Sequence, residues 1–561
     1  MAKNKQKQSR RGGALRFVAL SGTTAVTENL YIYEYEQDMI IVDCGVGFPE
    51  AEMYGVDLKI PDFNYIYENK HKLRGLLVTH GHEDHLGAIP FLLKDVNTTV
   101  FATRLTAGFI EEKLADYKIT NSKIVVVDPE KDVITLGVFK ITPFRVSHSV
   151  PDGVGFCIDT PEGKLFHVPD YKFDWTSVDG RPFDVNKAAI LASGGALALA
   201  SDGLGATTPG YTESEKAIEG RIEPIIAEAT GQVYFTTISS NISRMQQALN
   251  VALKHGRKVA FVGRSVDSKA EIAKRLGYLH YPNNLVVPAR RAARMKKDQV
   301  MFIISGSYGQ PGSALYRTAL GEHDYLTVGE NDTVIFSGDP APPGSKTNVD
   351  FLVDRLIETS VNVHYYDMQE DLHVSGHGSQ EDIKLLFGLI KPKYFVPIGG
   401  TVRHNRAYAK LAADMGAKPG SVFELLPGDV IEYKDGHAEV VERIPVREVL
   451  VDGLEIGDVG NVVLRDRKIL AREGFVIAIV QFDHAKGELV TIPELITRGF
   501  VYEKKRKDFL QDAASRLSQV LGKKKLTQDR VIKQEAVNFL ERFFFNETGR
   551  RPMIMPVVIE V

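Results

Sequence analysis

Cysteine is scarce in this chain, with only Cys44 and Cys157 among 561 residues. Two thiols build neither a disulfide framework nor a thiolate metal site, and the scarcity favours a reducing, cytoplasmic compartment. No apolar stretch approaches the roughly 20 residues of a membrane span, so no membrane partner is expected. The first eleven residues carry Lys3, Lys5, Lys7, Arg10 and Arg11, and the apolar segment of a secretory leader does not follow them. Residues 1–14 are therefore expected as a basic arm. A large charge imbalance is missing too: a net charge of −3 argues neither for nor against a polyanionic partner, because a protein can be acidic overall and basic along one groove. The composition, 43% hydrophobic and 25% charged, is that of an ordinary globular protein. Its 561 residues exceed what one hydrophobic core organises, so about three domains are expected.

What the chain does have is concentrated in Thr79-His80-Gly81-His82-Glu83-Asp84-His85. The apolar run Leu73 to Val78 reads as a short buried strand, and Leu86 to Leu93 resumes in a helix-like pattern. The histidines thus fall at a strand-to-helix junction. His80 and His82 can point into one crevice from an extended turn while Asp84 and His85 occupy the first helical turn, so one loop can serve two metal positions. Imidazole and carboxylate suit zinc, or manganese if oxygen ligands dominate. A chance polar loop is the competing reading, but such a cluster beside a buried strand would be costly. The zincin pattern does not apply, because His80 and His82 are two residues apart rather than four along a helix.

Four ligands in one loop do not complete a two-metal site, and further donors stand at strand ends. Asp43 closes Met39-Ile40-Ile41-Val42, His148 follows Phe144 to Ser147, and Asp170 follows Leu165 to Pro169. Polar residues at the ends of apolar segments are where open sheets present reactive groups. Each alone could be a surface residue; their joint order with the histidine loop weakens that reading.

The order Asp43, His80/His82/Asp84/His85, His148, Asp170 resembles the metallo-β-lactamase superfamily of binuclear hydrolases. A closer resemblance is to bacterial ribonuclease J, a nuclease of the β-CASP branch. It is carried by Ile41-Val42-Asp43-Cys44-Gly45, Phe48-Pro49-Glu50, Ile60-Pro61-Asp62-Phe63, Ser147 to Asp152, Pro209-Gly210-Tyr211-Thr212, Ser240-Asn241-Ile242, Gly263-Arg264-Ser265, His373 to Gly378 and Gly457 to Gly460. It runs from about Leu15 to the C-terminus.

The fold it implies is α/β: a metallo-β-lactamase αββα sandwich interrupted by an inserted β-CASP α/β domain, with a small C-terminal α/β domain. The expected layout is 15–211 for the first part of the sandwich, 212–362 for the insert, 363–445 for the second part, 446–467 as a linker and 468–561 as the last domain. Periodicity alone supports the alternation of helices and strands from Thr212, namely helices from Ile242 to His255 and Val266 to Leu276, and strands from Lys258 to Val262, Val300 to Ile304 and Val334 to Phe336. Strand-like Asn362 to Tyr366 is expected to begin the return to the sandwich.

The resemblance also implies roles. His80, His82 and His148 would hold one metal, Asp84 and His85 the other, with Asp170 bridging and Asp43 holding the histidine loop by hydrogen bonds. An activated water would attack phosphorus in line and leave a 5′-phosphate. His373 would bind the scissile phosphate or assist the leaving oxygen, and Ser375, His377 and Gly378 would line the cleft, His377 alternatively as a structural hydrogen bonder. Asp202 would support the site, and Ser305, Gly306 and Ser307, within Ser305 to Gly309, would cradle phosphate unless they form an ordinary turn. The expected partner is RNA, preferably a 5′-monophosphorylated single strand, on a homodimer or higher homo-oligomer, with a paralogue as another possible partner. Basic runs Arg290 to Lys297, Lys504 to Lys507, Lys523 to Lys525 and the N-terminal arm read equally as RNA-facing or merely solvated surface.

One departure matters. Where ribonuclease J has Pro-Val-His-Gly-Glu, with the histidine on the second metal, this chain reads Pro397-Ile398-Gly399-Gly400-Thr401. The expectation is one tightly held Zn2+ and a weaker second position, with Mn2+ or Mg2+ as alternatives. His404 is a candidate substitute and His167 is read as a core histidine. Three functional readings follow: an active ribonuclease with endonucleolytic and 5′-to-3′ exonucleolytic action; a weakly active paralogue serving RNA binding or assembly, favoured by Gly399; and a hydrolase of small acyl or phosphoester substrates, disfavoured by the long insert and C-terminal unit.

Overall fold

The computed structural model describes residues 13–561 apart from 51, 339–344, 367–369, 454, 458–459, 484, 501–506 and 524–527. The basic residues Lys3 to Arg11, Lys504 to Arg506, Lys524 and Lys525, and the pair Asp458 and Val459, lie outside the described residues. Two compact units form, Met1–Phe48 with Leu58–Val449, and Pro49–Asp57 with Leu450–Val561.

Two facing sheets build the sandwich of the first unit. One has eight strands, in the order His437–Arg443, Asp429–Lys434, Leu15–Ala19, Tyr31–Tyr35, Asp38–Val42, Leu73–Leu77, Thr99–Ala102 and Lys123–Val126. The other has six, in the order Pro392–Ile398, Ala196–Asp202, Gly163–Val168, Val154–Thr160, Phe139–Arg145 and Ile134–Leu136. Side chains alternate faces along a strand, so Leu15, Phe17, Tyr31, Tyr33, Ile40 and Val42 meet Ile141, Phe156, Ile158 and Leu165 in one core between the sheets. The opposite face of the six-stranded sheet buries Phe144, Cys157, Phe166, Val168 and Leu199 against helices Val185–Ala192, Gln380–Ile390 and Val402–Asp414. Strand Pro392–Ile398 lies parallel to Ala196–Asp202 with Ile398 opposite Asp202. The chain therefore completes the sandwich only after the insert.

The inserted domain is a parallel sheet in the order Lys258–Val262, Val300–Ile304, Val233–Thr236, Thr333–Phe336 and Asn362–His364. Its middle strand, Val233–Thr236, is four residues long and wholly buried, too short to carry a periodic signal. Asn362–His364, expected to open the return segment, instead pairs with Thr333–Phe336 as an edge strand of the insert. The stretch expected as a connector contains strand Val449–Asp452 and the first half of helix Asn461–Glu473.

In the second unit, strand Phe475–Asp483 pairs with Glu488–Leu489 and Glu494–Arg498 antiparallel and with Met553–Glu560 parallel. Helices Lys507–Gly522 and Asp529–Thr548 contribute Leu517, Ile532, Ala536, Leu540 and Phe544 to a core with Val476, Ala478, Val480 and Phe482.

Candidate metal centre

The histidine loop is held by buried polar groups before any metal is considered. Strand Leu73–Leu77 is buried at its end and feeds the loop, and helix Glu83–Leu86 opens with Glu83 and Asp84 in its first turn, where carboxylates favour the helix dipole. Asp43, in the left-handed region at φ 61, accepts hydrogen bonds from Thr79 N and Thr79 Oγ1, each 2.8 Å, and lies 2.8 Å from His85 Nδ1. Its carboxylate thereby orients the His85 ring and turns Nε2 toward Asp170. Gly45 closes against the same loop, since a Cβ there would stand 1.6 Å from Asp84 O.

Three donor sets share Asp170: His80, His82 and His148 complete one, Asp84 and His85 a second, and Asp202 and His377 a third. Asp170 Oδ2 lies 3.5 Å from both His80 Nε2 and His148 Nε2, while Asp170 Oδ1 lies 3.4 Å from His85 Nε2. His148 Nδ1 is 2.8 Å from Gly376 O, directing Nε2 inward to within 3.1 Å of His82 Nδ1. Gly376 is required here, since a Cβ would come 2.5 Å from the His148 ring.

Electrostatics follow from this crowding. Burial, then neighbouring imidazoles, push His80 and His148 well below the usual histidine range, and burial pushes His82 down to about 3. Burial also opposes charge on His85, but Asp170, Asp84 and Asp43 outweigh it and raise its pKa. Burial raises Asp84 to about 6, while His85 and His377 overcome burial at Asp170 and hold it well below the carboxylate range. The donor set fits a divalent metal: His80 Nε2 is buried with no hydrogen-bond partner, and three neutral imidazole nitrogens face one carboxylate oxygen.

Three stretches match family models: residues 39–187 the beta-lactamase superfamily domain, 230–356 the ribonuclease J beta-CASP domain and 462–561 the ribonuclease J C-terminal domain. Ribonuclease J2 of Bacillus subtilis (strain 168) is 35% identical, across 98% of this chain and 99% of its own length. The chain belongs to the ribonuclease J family. Ribonuclease J 1 of Streptococcus pyogenes is 36% identical across 96% of this chain and 97% of its own, and Ribonuclease J 2 of Staphylococcus aureus (strain MRSA252) 33% identical across 98% of each. A protein of unknown function from Enterococcus faecalis V583 matches in structure with a TM-score of 0.52 at 15% identity, covering 75% of this chain and 100% of that one, which is a likeness of fold. As a member of the ribonuclease J family the chain is a hydrolytic nuclease with divalent-metal dependence.

The other expected site residues of this ribonuclease J relative fall in different places. His377 Nδ1 lies 2.7 Å from Asp202 Oδ2 and its Nε2 3.9 Å from Asp170 Oδ2, a third group at the edge of the cluster. Burial pushes the His377 ring down, but Asp202 and Asp170 together outweigh it and hold its pKa at about 9. His373 lies outside these three groups; its Nδ1 is buried without a hydrogen-bond partner, and burial, then Arg244 and Lys172, bring it down to about 3. Ser375 is exposed and its Oγ accepts from His377 N, and Gly378 N donates to Tyr171 O. Ser305, Gly306 and Ser307 sit at the carboxyl end of strand Val300–Ile304, where Ser305 N bonds Val262 O and Ser305 O accepts from Leu315 N, contacts within the insert. Arg290, Arg291, Arg294, Lys296 and Lys297 are exposed, with Arg290 over the Tyr325 ring and Lys297 paired with buried Asp332.

At the departure from the family pattern, a Cβ on Gly399 would meet only Asp202 Oδ1 at 3.6 Å and Asp170 Oδ1 at 3.9 Å. His404 does not reach there: its Nδ1 accepts from Thr401 N at 3.2 Å and caps its own helix. His167 packs in the sandwich core 2.9 Å from Tyr33 OH. Sequence reasoning missed Asn29, 1% exposed, whose amide bonds Asp84 O and approaches His85 Nε2 at 3.1 Å, and the buried ion cluster of Lys172, Asp174, Glu215 and Arg244. No local spacing signals Asn29 or the Arg244 pair, because Asn29 meets Asp84 across 55 positions and Arg244 meets Glu215 across 29.

Proposed function

We propose that the chain hydrolyses RNA phosphodiester bonds as an endonuclease and 5′-to-3′ exonuclease in RNA maturation and decay, leaving 5′-phosphate products. The observation that carries this reading is the convergence of His80, His82, His148, Asp84 and His85 on the two oxygens of Asp170. In this reading His80, His82, His148 and Asp170 hold the first ion, and Asp84, His85 and Asp170 the second, as Zn2+ or alternatively Mn2+ or Mg2+. When bound, such ions lower the pKa of water and neutralise developing charge on phosphate oxygens.

The protein's own groups do the remainder. Asp43 orients His85, and Gly376 O orients His148, so that the donor nitrogens need not rearrange as substrate binds. His377, kept charged by Asp202, is placed to give its Nε2 proton to the leaving oxygen. We assign that role to His377 rather than His373, whose neutral ring serves phosphate binding with Ser375 and Gly378. Ser305 to Ser307 serve the RNA strand along the insert. The protein acts as a homo-oligomer in the cytoplasm.

A second reading, a weakly active partner of a more active paralogue, draws on Gly399, which supplies no fourth ligand to the second ion. The test offers 5′-monophosphorylated and 5′-triphosphorylated single strands to the metal-depleted protein before and after adding divalent ions. Metal-dependent release of 5′-phosphate products, faster from the monophosphate, supports the enzyme; binding without cleavage supports the second reading.

A further inference from the structure

Lys172 carries a side chain 0% exposed, two residues beyond Asp170. A buried ammonium is costly unless its surroundings compensate it, and here they do so unevenly. Asp174 and Glu215 each stand 3.9 Å from its Nζ, too far for a hydrogen bond, and Glu215 is committed to Arg244 at 2.6 Å. The two short bonds go to main-chain carbonyls, Glu213 O and Ser375 O, each at 3.0 Å. An ammonium spent on carbonyls fixes backbone position rather than balancing charge.

The backbone it fixes belongs to the active site. Gly376 O faces His148 Nδ1 at 2.8 Å, His377 Nδ1 faces Asp202 at 2.7 Å, and Gly378 N donates to Tyr171 O at 2.6 Å. Lys172 N meanwhile donates to Ser147 O at 2.8 Å, next to His148. One residue thus fastens both ends of the contact between the His148 loop and the 375–378 segment, through its main chain on one side and its ammonium on the other.

We propose that Lys172 is a positioning residue that sets the peptide at Ser375 so that Gly376 O aligns His148 and His377 reaches the cluster. This rests on the ribonuclease reading above. Because Lys172→Met alone leaves an unbalanced carboxylate in the interior, the test uses Lys172→Met/Asp174→Asn against Asp174→Asn in the full chain, with Arg244 and Glu215 still paired.

Expected for the double variant is a roughly ten- to hundredfold lower kcat, the factor that loss of one charge-assisted hydrogen bond carries, with KM within about threefold and the bound metal retained. Amide hydrogen exchange across 375–378 should rise about tenfold or more, since those bonds open without global unfolding. Unchanged kcat and exchange relative to Asp174→Asn would overturn the proposal, as would a fall in kcat matched by loss of metal. Should the unmodified protein hydrolyse no RNA, the functional reading fails by itself. Exchange then still decides: faster exchange at 375–378 with metal retained upholds the positioning role, and equal exchange removes it.

Discussion

In the proposed two-ion reading Gly399 makes the two positions unequal, and the inequality can be sized from the donors each would have. The first position has four donors, His80, His82, His148 and Asp170, and the second has three, Asp84, His85 and Asp170. Losing even a hydrogen-bond partner of a ligand weakens metal binding about 10- to 100-fold, so a missing ligand should cost the upper end of that range at least. A factor of about 100 corresponds to roughly 2.7 kcal/mol. His404 gives no relief, being engaged with Thr401. Exhaustive dialysis followed by elemental analysis should therefore leave one equivalent per chain, with calorimetric titration showing a second, weaker event. Gly399→His should raise second-site occupancy, because a side chain there meets Asp202 and Asp170 only at ordinary van der Waals distance. It should also lower metal-free stability by about 1–2 kcal/mol, because the backbone at φ +67 is left-handed. Two equivalents retained by the unmodified protein would refute the reasoning.

Two further outcomes are expected. His80→Ala should abolish cleavage while leaving RNA affinity within about tenfold, because it removes a metal ligand but not the groove; equal cleavage rates for the two purified proteins would refute this. His377 should impose an alkaline limb on the pH–rate profile, with rate lost as the Asp202-paired ring gives up its proton. The sign for stability agrees: a pKa raised from 6.5 to about 9 contributes fully below 6.5 and is lost as pH rises through about 9. In His377→Gln the limb should vanish and kcat fall about 10²–10⁴-fold; a limb that persists in the variant would sink the assignment.

The histidine loop is legible in sequence because its donors lie within six positions after an apolar strand. Asp43, His148 and Asp170 are legible as polar residues at strand ends. The supports are not. Lys172 reaches Ser375 across 203 positions, and Arg244 reaches Leu372 across 128, so only the folded chain brings them together. Asn29 lies 56 positions from His85. In the insert, the helices Ile242–Lys254 and Arg264–Leu276 announce themselves by amphipathic spacing, whereas Val233–Thr236, four buried residues at the centre of the sheet, offers no alternation to read. Asn362–His364 shows the converse: its pattern marks a strand but not which sheet takes it.

The central claim is that the Asp170-centred cluster makes this chain a metal-dependent ribonuclease. Its most direct test is hydrolysis of a 5′-monophosphorylated single-stranded RNA by chelator-treated protein, before and after divalent metal is restored, with metal content measured on the same sample. The account predicts intact RNA without metal and 5′-phosphate-bearing fragments once metal is bound. Intact RNA at full occupancy of the first position, or equal cleavage with and without metal, would contradict it.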